Sequence, residues 1–368
     1  MKVERESLIG TLAVLGFAVA VAYLGPDHNR HHPSPSRSTS DEPASADDAF
    51  APGRGRHAES PRRIPAKGWK DILWRTYEQL NEDRLLAVAA GVVFYGLLAL
   101  FPTITALVSS YALFADAKTV NDHMAFISSF LPEGTFSIIQ DQVGRVLSKG
   151  DMKLGSAFLG SLLLAIWSAN GGMKAIIDAL NVVYDEKEKR GFIKLNAVSL
   201  AFTVGGVIGI LFAIGLVVIA PVVLSMVGLG SAVGALIKFG RWPVLGVILL
   251  LALAVLYRYA PSRRSPKWRW ISVGSIVATI TWMIGSGMLS FYLANFGHYD
   301  ATYGSLGAAI ALMTWMWMSM IVVLFGAELN SEIEHQTTKD STVGPPKPLG
   351  SRGARMADTV GVSHWLNQ

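Results

Sequence analysis

Cysteine is absent from this 368-residue chain, which excludes disulfides and thiolate metal sites and fits any compartment. Charge is scarce as well. Only 16% of the residues are charged, where a soluble domain carries about 25%, so most of the chain does not face water. Histidine is thinly spread: His28, His31, His32 and His57 fall in or beside one polar segment, and His123, His298, His335 and His364 are scattered over other stretches. Zinc hydrolases and metal-dependent nucleases need several His and Asp converging on one site. No Gly-x-Ser-x-Gly elbow and no Gly-x-x-x-x-Gly-Lys-Ser/Thr phosphate loop occurs either. These absences argue against an enzyme, and no metal or cofactor is expected. The formal charge of +5 is modest, and no basic face is interleaved with stacking aromatics, so nucleic acid is not an expected partner. Basic residues clustered in particular loops suit anionic headgroups, which makes membrane lipids the expected partner.

What the chain has in abundance is long apolar runs. Between Ser305 and Ala327 there are 23 residues without an ionisable side chain. As a helix they rise about 35 Å, enough to cross a hydrocarbon core of about 30 Å with some tilt. Five earlier runs read as spans: 87–114, interrupted by Pro102; 154–169, continuing as a less apolar helix to Tyr184; 198–227; 244–257; and 271–295. A proline removes one backbone hydrogen bond, so a kink or a break is expected at Pro102. A further apolar run, 8–24, is short for a span. It reads as an uncleaved helix, with a signal peptide as the rival, although no clear small-x-small cleavage site precedes Pro26. The expected fold is all-α, a polytopic six-helix membrane bundle (66–334) plus this N-terminal helix (1–24). Residues 25–65 and 335–368 are rich in Pro, Ser, Gly and charge, and both are expected to be disordered. Trp69, Ile72, Leu73, Tyr77 and Leu80 recur at helical spacing, which predicts an amphipathic helix lying in the membrane interface ahead of the first span. An ordinary water-exposed helix packed on a loop would carry the same pattern.

Threading follows from Lys and Arg in the loops. Lys67, Lys70, Arg75 and Arg84 approach the first span; Lys174, Lys187, Lys189, Arg190 and Lys194 flank the end of the second. Arg258, Arg263, Arg264, Lys267 and Arg269 follow the fourth, and alternate loops are poorer. The long loop after the first span is the exception, its basic residues being mixed with acidic ones. This parity suits six helices with both ends in the cytoplasm.

Polar residues at the span borders are the candidates for a path or gate. They are Glu328, Arg258, Asn330, Asn295, Tyr303, Asn181, Tyr95 and Pro102. A carboxylate near the membrane centre costs about 3 kcal/mol on insertion scales, which favours a functional reason for Glu328; at a helix end that cost largely vanishes. Gly326 and Ala327 let another helix approach, and Arg258 shares the same face of the membrane, so Glu328 is expected to pair with Arg258. The asparagines can equally serve as interhelical glue. Tyr257, Trp268, Trp270, Tyr299 and Tyr303 fit aromatic belts at the interfaces. Small-residue pairs support tight helix packing, and they leave open whether copies associate into a homo-oligomer.

Several of these residues form a recognisable set. Glu82-Asp83-Arg84, Ala89-Ala90, Phe94-Tyr95 and Leu98-Ala99-Leu100-Phe101-Pro102 resemble the first-helix signature of the YihY/BrkB family of bacterial inner-membrane proteins. Trp167-Ser168-Ala169, Asn181, Tyr184 and Arg190 resemble its second motif. Tyr257-Arg258, Pro261, Trp270 to Gly274, Tyr292, Asn295-Phe296, Tyr299, Thr302 to Ser305 and Gly326 to Asn330 follow in the family's order. The resemblance covers about 69–334 and implies a six-helix integral protein of the bacterial inner membrane. Members have carried the labels virulence factor and ribonuclease BN, and the metal-ligand clusters that the second label calls for are missing. The expectation is a transporter, channel or lipid-handling protein. A structural envelope scaffold is the alternative, and a membrane-bound ribonuclease is the weakest reading.

Overall fold

A computed structural model describes residues 52–114, 151–214, 231–296 and 305–363. Its elements are α1 (Ala66–Glu82), α2 (Leu85–Phe114), α3 (Asp151–Val183), α4 (Phe192–Ile214), α5 (Ser231–Tyr259), α6 (Trp268–Phe296), α7 (Ser305–His335) and the four-residue α8 (Arg355–Asp358). A 3₁₀ turn covers Pro61–Arg63. Among the described residues there is no strand, and one isolated bridge joins Pro266 to Thr342. The class is all-α.

Helices α2 to α7 answer one for one to the six expected runs. An apolar run has no water to satisfy its peptide groups in lipid, so it must close its own hydrogen bonds as a helix. Runs within α4, α5, α6 and α7 of 18 to 27 residues are long and apolar enough to cross a membrane. The 8–24 run lies outside the described residues, as do 115–150, 215–230 and 297–304. Two prolines lie inside helices. α2 continues past Pro102 rather than breaking there, and α5 starts at Ser231 and carries Pro243 inside, not at 244. One lost hydrogen bond does not end a helix whose other peptide groups have no alternative partner.

α7 is the hub: it touches α1, α2, α3, α6 and α8, while α2 lies along α3 and α5 along α6. α6 and α7 meet backbone to backbone. A Cβ on Gly274 would fall on the Gly326 carbonyl oxygen, and one on Gly326 would lie 2.7 Å from the Tyr257 hydroxyl. Only glycine permits this crossing.

The packed core sits at one end of the bundle, where the basic loops are. It combines Leu85, Ala89 and Val92 of α2, Ile177 and Leu180 of α3, and Leu253 and Tyr257 of α5 with Ile271 of α6 and Leu324 and Ala327 of α7. A second cluster joins Ala58, Ile64 and Ile72 to Trp270, Leu329 and Ile333. Between helices in lipid there is no hydrophobic drive to associate. At a water-facing end, burying a Leu or Ile is worth about 1.5–3 kcal/mol. Tyr257 and Trp270 belong to this core and are fully buried, so they form no interface belt; Trp268 is half exposed, as a belt residue should be.

The segments expected to be disordered are ordered where they are described. Residues 52–65 and 336–363 fold against each other and against the basic loops: Thr338 N–H donates to the Arg56 carbonyl at 2.7 Å, and Gly361 N–H to the His335 carbonyl at 2.8 Å. Few large apolar groups are available, so arginine-to-carbonyl hydrogen bonds supply the cohesion, with Arg352 donating to Ala357, Thr338 and Lys347 oxygens.

Candidate functional site

The same end of the bundle gathers the buried charges. Arg75 lies on the face of α1 that also buries Ile72 and Thr76, one turn along the helix. Its Nε donates to Glu332 Oε2 at 2.5 Å, and its Nη2 to the Gln336 side-chain oxygen at 2.8 Å. Both partners of this ion pair are under a tenth exposed. Beside it Arg263 forks onto Glu334, with Nη2–Oε1 at 2.7 Å and Nη1–Oε2 at 3.1 Å, and its guanidinium lies 3.9 Å from the centre of the Tyr184 ring. Arg54 binds Asp71 through both carboxylate oxygens. Burying opposite charges is tolerable only when each has such partners.

Glu328 is different. It stands one helical turn before Glu332 on α7 and is 1% exposed. Its Oε2 has no hydrogen-bond partner among the described residues, nor has Glu332 Oε1. The charged groups that act on Glu328 most strongly are Glu332 and Asp83, both acidic. Asp83 sits in the turn between α1 and α2. Its pKa is pushed up to about 6, first by burial and then by the carboxylates of Asp185, Glu82 and Glu332. The mouth of the bundle therefore holds an acidic patch on α7 and the α1–α2 turn, with Arg75 bound to one side of it.

The expected pairing of Glu328 with Arg258 does not form. Arg258 Nη1 donates to the Pro266 carbonyl at 2.6 Å, and its guanidinium lies 4.4 Å from the Trp268 ring centre and 5.3 Å from that of Tyr259. A shared membrane face is not a shared helix face. Arg258 turns toward the loop it enters, where a carbonyl and two ring faces receive its guanidinium.

The other candidates divide. Asn330 accepts from Gly274 N–H at 2.8 Å and donates to the Ile271 carbonyl at 3.2 Å; it clamps the α6–α7 crossing. Asn181 accepts from Ser262 N–H at 2.7 Å and donates to Glu188 at 3.2 Å, tying the α3–α4 loop to the α5–α6 loop. There Arg190 grips Glu188 through Nε and Nη2, and these hydrogen bonds hold the Glu188 carboxyl down at about 2 against the opposing effect of burial. Tyr95 is half exposed on α2, away from the mouth, beside Gly171 and Gly172. Pro102 and Asn295 lie within α2 and α6, their side chains outside the described part, and Tyr303 lies outside the described residues altogether.

Sequence reasoning missed Arg75, Glu332 and Glu334 as members of this site, and the carboxylate partner of Arg263 is Glu334 rather than Glu328. The signal for two of them was present. Arg75 follows Ile72 by three residues on the apolar stripe of α1, and Glu332 follows Glu328 by four on α7, the spacings that place side chains on one face.

The family model described as Virulence factor BrkB matches residues 76–349. A ribonuclease-like protein of Bacillus subtilis (strain 168), YfkH, is 31% identical over 247 residues, which is 66% of this chain and 88% of that protein. A UPF0761 membrane protein of Cronobacter sakazakii (strain ATCC BAA-894) is 26% identical over 280 residues, covering 74% of this chain and 91% of the relative. One from Alteromonas mediterranea is 26% identical, covering 72% and 88%. No solved structure matches the chain.

Proposed function

The chain belongs to the virulence factor BrkB family, and from that premise we propose that it is a transporter, channel or lipid-handling protein working through its charged mouth. The observation that carries this reading is Glu328, a carboxyl group buried between helices with an oxygen left unpartnered and Glu332 one turn further along the same helix. Leaving a buried acceptor unsatisfied costs about 1–3 kcal/mol, more when charged. A bundle built only to stand in a membrane gains nothing from that cost. A site that takes up and releases a cation, a proton or a polar headgroup needs it.

The setting is the bacterial inner membrane with both ends of the bundle in the cytoplasm. Two features support this. The basic loops lie at one end, as the positive-inside rule requires, and segments 52–65 and 336–363 pack on each other there, which calls for an even number of crossings between them. Membrane lipid is the partner of α1. Its outward face carries Leu73, Trp74 and Tyr77 with Lys67 and Lys70, all exposed, and it runs through the two-residue 83–84 turn into the apolar surface of α2. Aromatics with lysines on one helix face suit an anionic interface.

The ribonuclease-like wording is printed for the Bacillus relative. Among the described residues no group of three His, Asp or Glu is placed to hold a metal, and the proposal rests on the mouth instead. The second reading, a structural scaffold, draws its support from the Gly274–Gly326 crossing, which interlocks α6 and α7 without space between them.

Reconstitution into liposomes tests the proposal. Proton entry, potassium and sodium flux, and scrambling of a fluorescent phosphatidylglycerol are followed against empty vesicles. Movement of at least one of these is expected. Vesicles indistinguishable from empty ones in all assays favour the scaffold.

A further inference from the structure

Gln336 to Ser363 leave α7 and travel around the charged end of the bundle before returning to it. Thr337 Oγ1 first donates to the Ala58 carbonyl at 2.8 Å. Next, Lys267 N–H donates to the Ser341 carbonyl at 2.8 Å and Val343 N–H to that of Ser265 at 3.0 Å, fixing the strap to the α5–α6 loop. Arg264 N–H holds the Gly353 carbonyl at 3.0 Å. Arg355 reaches the α3–α4 loop, its N–H donating to Glu186 at 2.7 Å and its side chain pairing with Asp185. The chain then comes back to α7 and α1: Gly361 N–H to the His335 carbonyl at 2.8 Å, and Arg75 Nη1 to the Val362 carbonyl at 3.0 Å. The strap thus ties the α5–α6 and α3–α4 loops to the end of α7.

The return leg passes directly over the Arg75–Glu332 pair. A Cβ on Gly361 would lie 2.5 Å from Arg75 Nε, so only glycine lets the strap cross there. Arg56 Nη2 pins the same residue by its carbonyl at 2.6 Å. The family match stops at residue 349 and starts at 76, so the return leg 350–363 and its counterpart 52–65 are both additions to the matched region. The return leg is fastened by hydrogen bonds to carbonyls, some of them buried, by the exposed Arg355–Asp185 pair and by four small or medium apolar side chains, Ala354, Met356, Ala357 and Val360. This is a lighter attachment than the core packing that holds the bundle beneath.

We infer that residues 336–363, pinned by 52–65, form a detachable strap that closes the charged mouth and shields the Glu328–Glu332 patch from water. This deepens the reading of the mouth as the working site and rests on it. Release of the return leg frees one of the acceptors of Arg75 and uncovers the acidic patch; re-docking restores both.

The natural absence of cysteine makes the test clean. His335, whose carbonyl receives the Gly361 N–H under the return leg, is replaced by cysteine and its modification by N-ethylmaleimide is timed in three membrane-embedded proteins: otherwise wild type, a chain ending at Gly350, and Gly361→Leu. The strap predicts slow labelling in the first and at least tenfold faster labelling in the other two, with unchanged helix content and elution. Equal rates in all three overturn it. So does loss of folding in both altered proteins, which would make the segment a fixed structural part. Liposome flux separates the two readings: faster labelling without flux in any of the three keeps the strap and removes the transport reading, whereas flux that rises on strap removal supports both.

Discussion

Replacing Arg75 with glutamine removes a guanidinium that makes four hydrogen bonds, to Glu332 Oε2 (2.5 Å), the Glu332 carbonyl (3.3 Å), Gln336 Oε1 (2.8 Å) and the Val362 carbonyl (3.0 Å). The Glu332 side chain is 1% exposed and stays behind with the His335 ring 3.6 Å away. Breaking a buried pair by removing one partner costs about 3–5 kcal/mol, because the stranded charge cannot reach water. Were the pair solvated, the loss would be below about 1 kcal/mol. Glu332→Gln should cost less than Arg75→Gln, since Gln336 and Val362 still receive the guanidinium and Glu328 and Asp83 lose a repelling neighbour. The double variant should cost less than the two singles added together. Unfolding in mixed detergent micelles, followed by circular dichroism for the wild type and the three variants, measures these terms. Additive losses below about 1 kcal/mol would refute a buried, coupled pair.

Asp83→Asn removes a carboxyl whose pKa is raised to about 6 in the folded protein. A raised value means its stabilising contribution is complete below the ordinary carboxylate range and lost as pH climbs through about 6. The variant should therefore be the more stable protein at pH 7.5 and lose that advantage at pH 4, by less than about 1 kcal/mol at this part-exposed site; an advantage independent of pH would contradict the assignment. Gly274→Ala places a methyl on the Gly326 carbonyl, so α6 and α7 must separate, at a cost of about 1–3 kcal/mol; wild-type thermal stability would show that the crossing is loose. For the threading, single cysteines at Ser128 and Gly297 should react with an impermeant thiol reagent from outside the cell, and one at Leu349, exposed on the strap, should not. Labelling at Leu349 from outside would reverse the orientation.

The helices were legible because lipid makes each one declare itself: a run such as 305–327 has no other way to satisfy its peptide groups. The glycines of the α6–α7 crossing were visible as residues of a motif, but their reason, backbone against backbone, needs two segments placed together. Arg258 and Glu328 show the limit from another side. Charge counting put them on one face of the membrane and could not give the rotation of α5, which turns Arg258 to the Pro266 carbonyl and the Trp268 ring. The strap was misread for a related reason. Its order comes from partners such as Arg56 and Gly361, which lie 305 residues apart, and local composition holds no trace of such a bond.

Glu328→Gln in reconstituted vesicles is the most direct test of the working mouth. The substitution keeps the shape of the side chain and removes the titratable carboxyl, so folding should be intact or slightly improved. In whichever assay the wild type moves protons, alkali cations or labelled phospholipid, the variant is expected to fall at least tenfold, at equal reconstitution and equal helix content. Full wild-type flux through Glu328→Gln would contradict the account, since the carboxyl group would then have no part in what crosses the membrane.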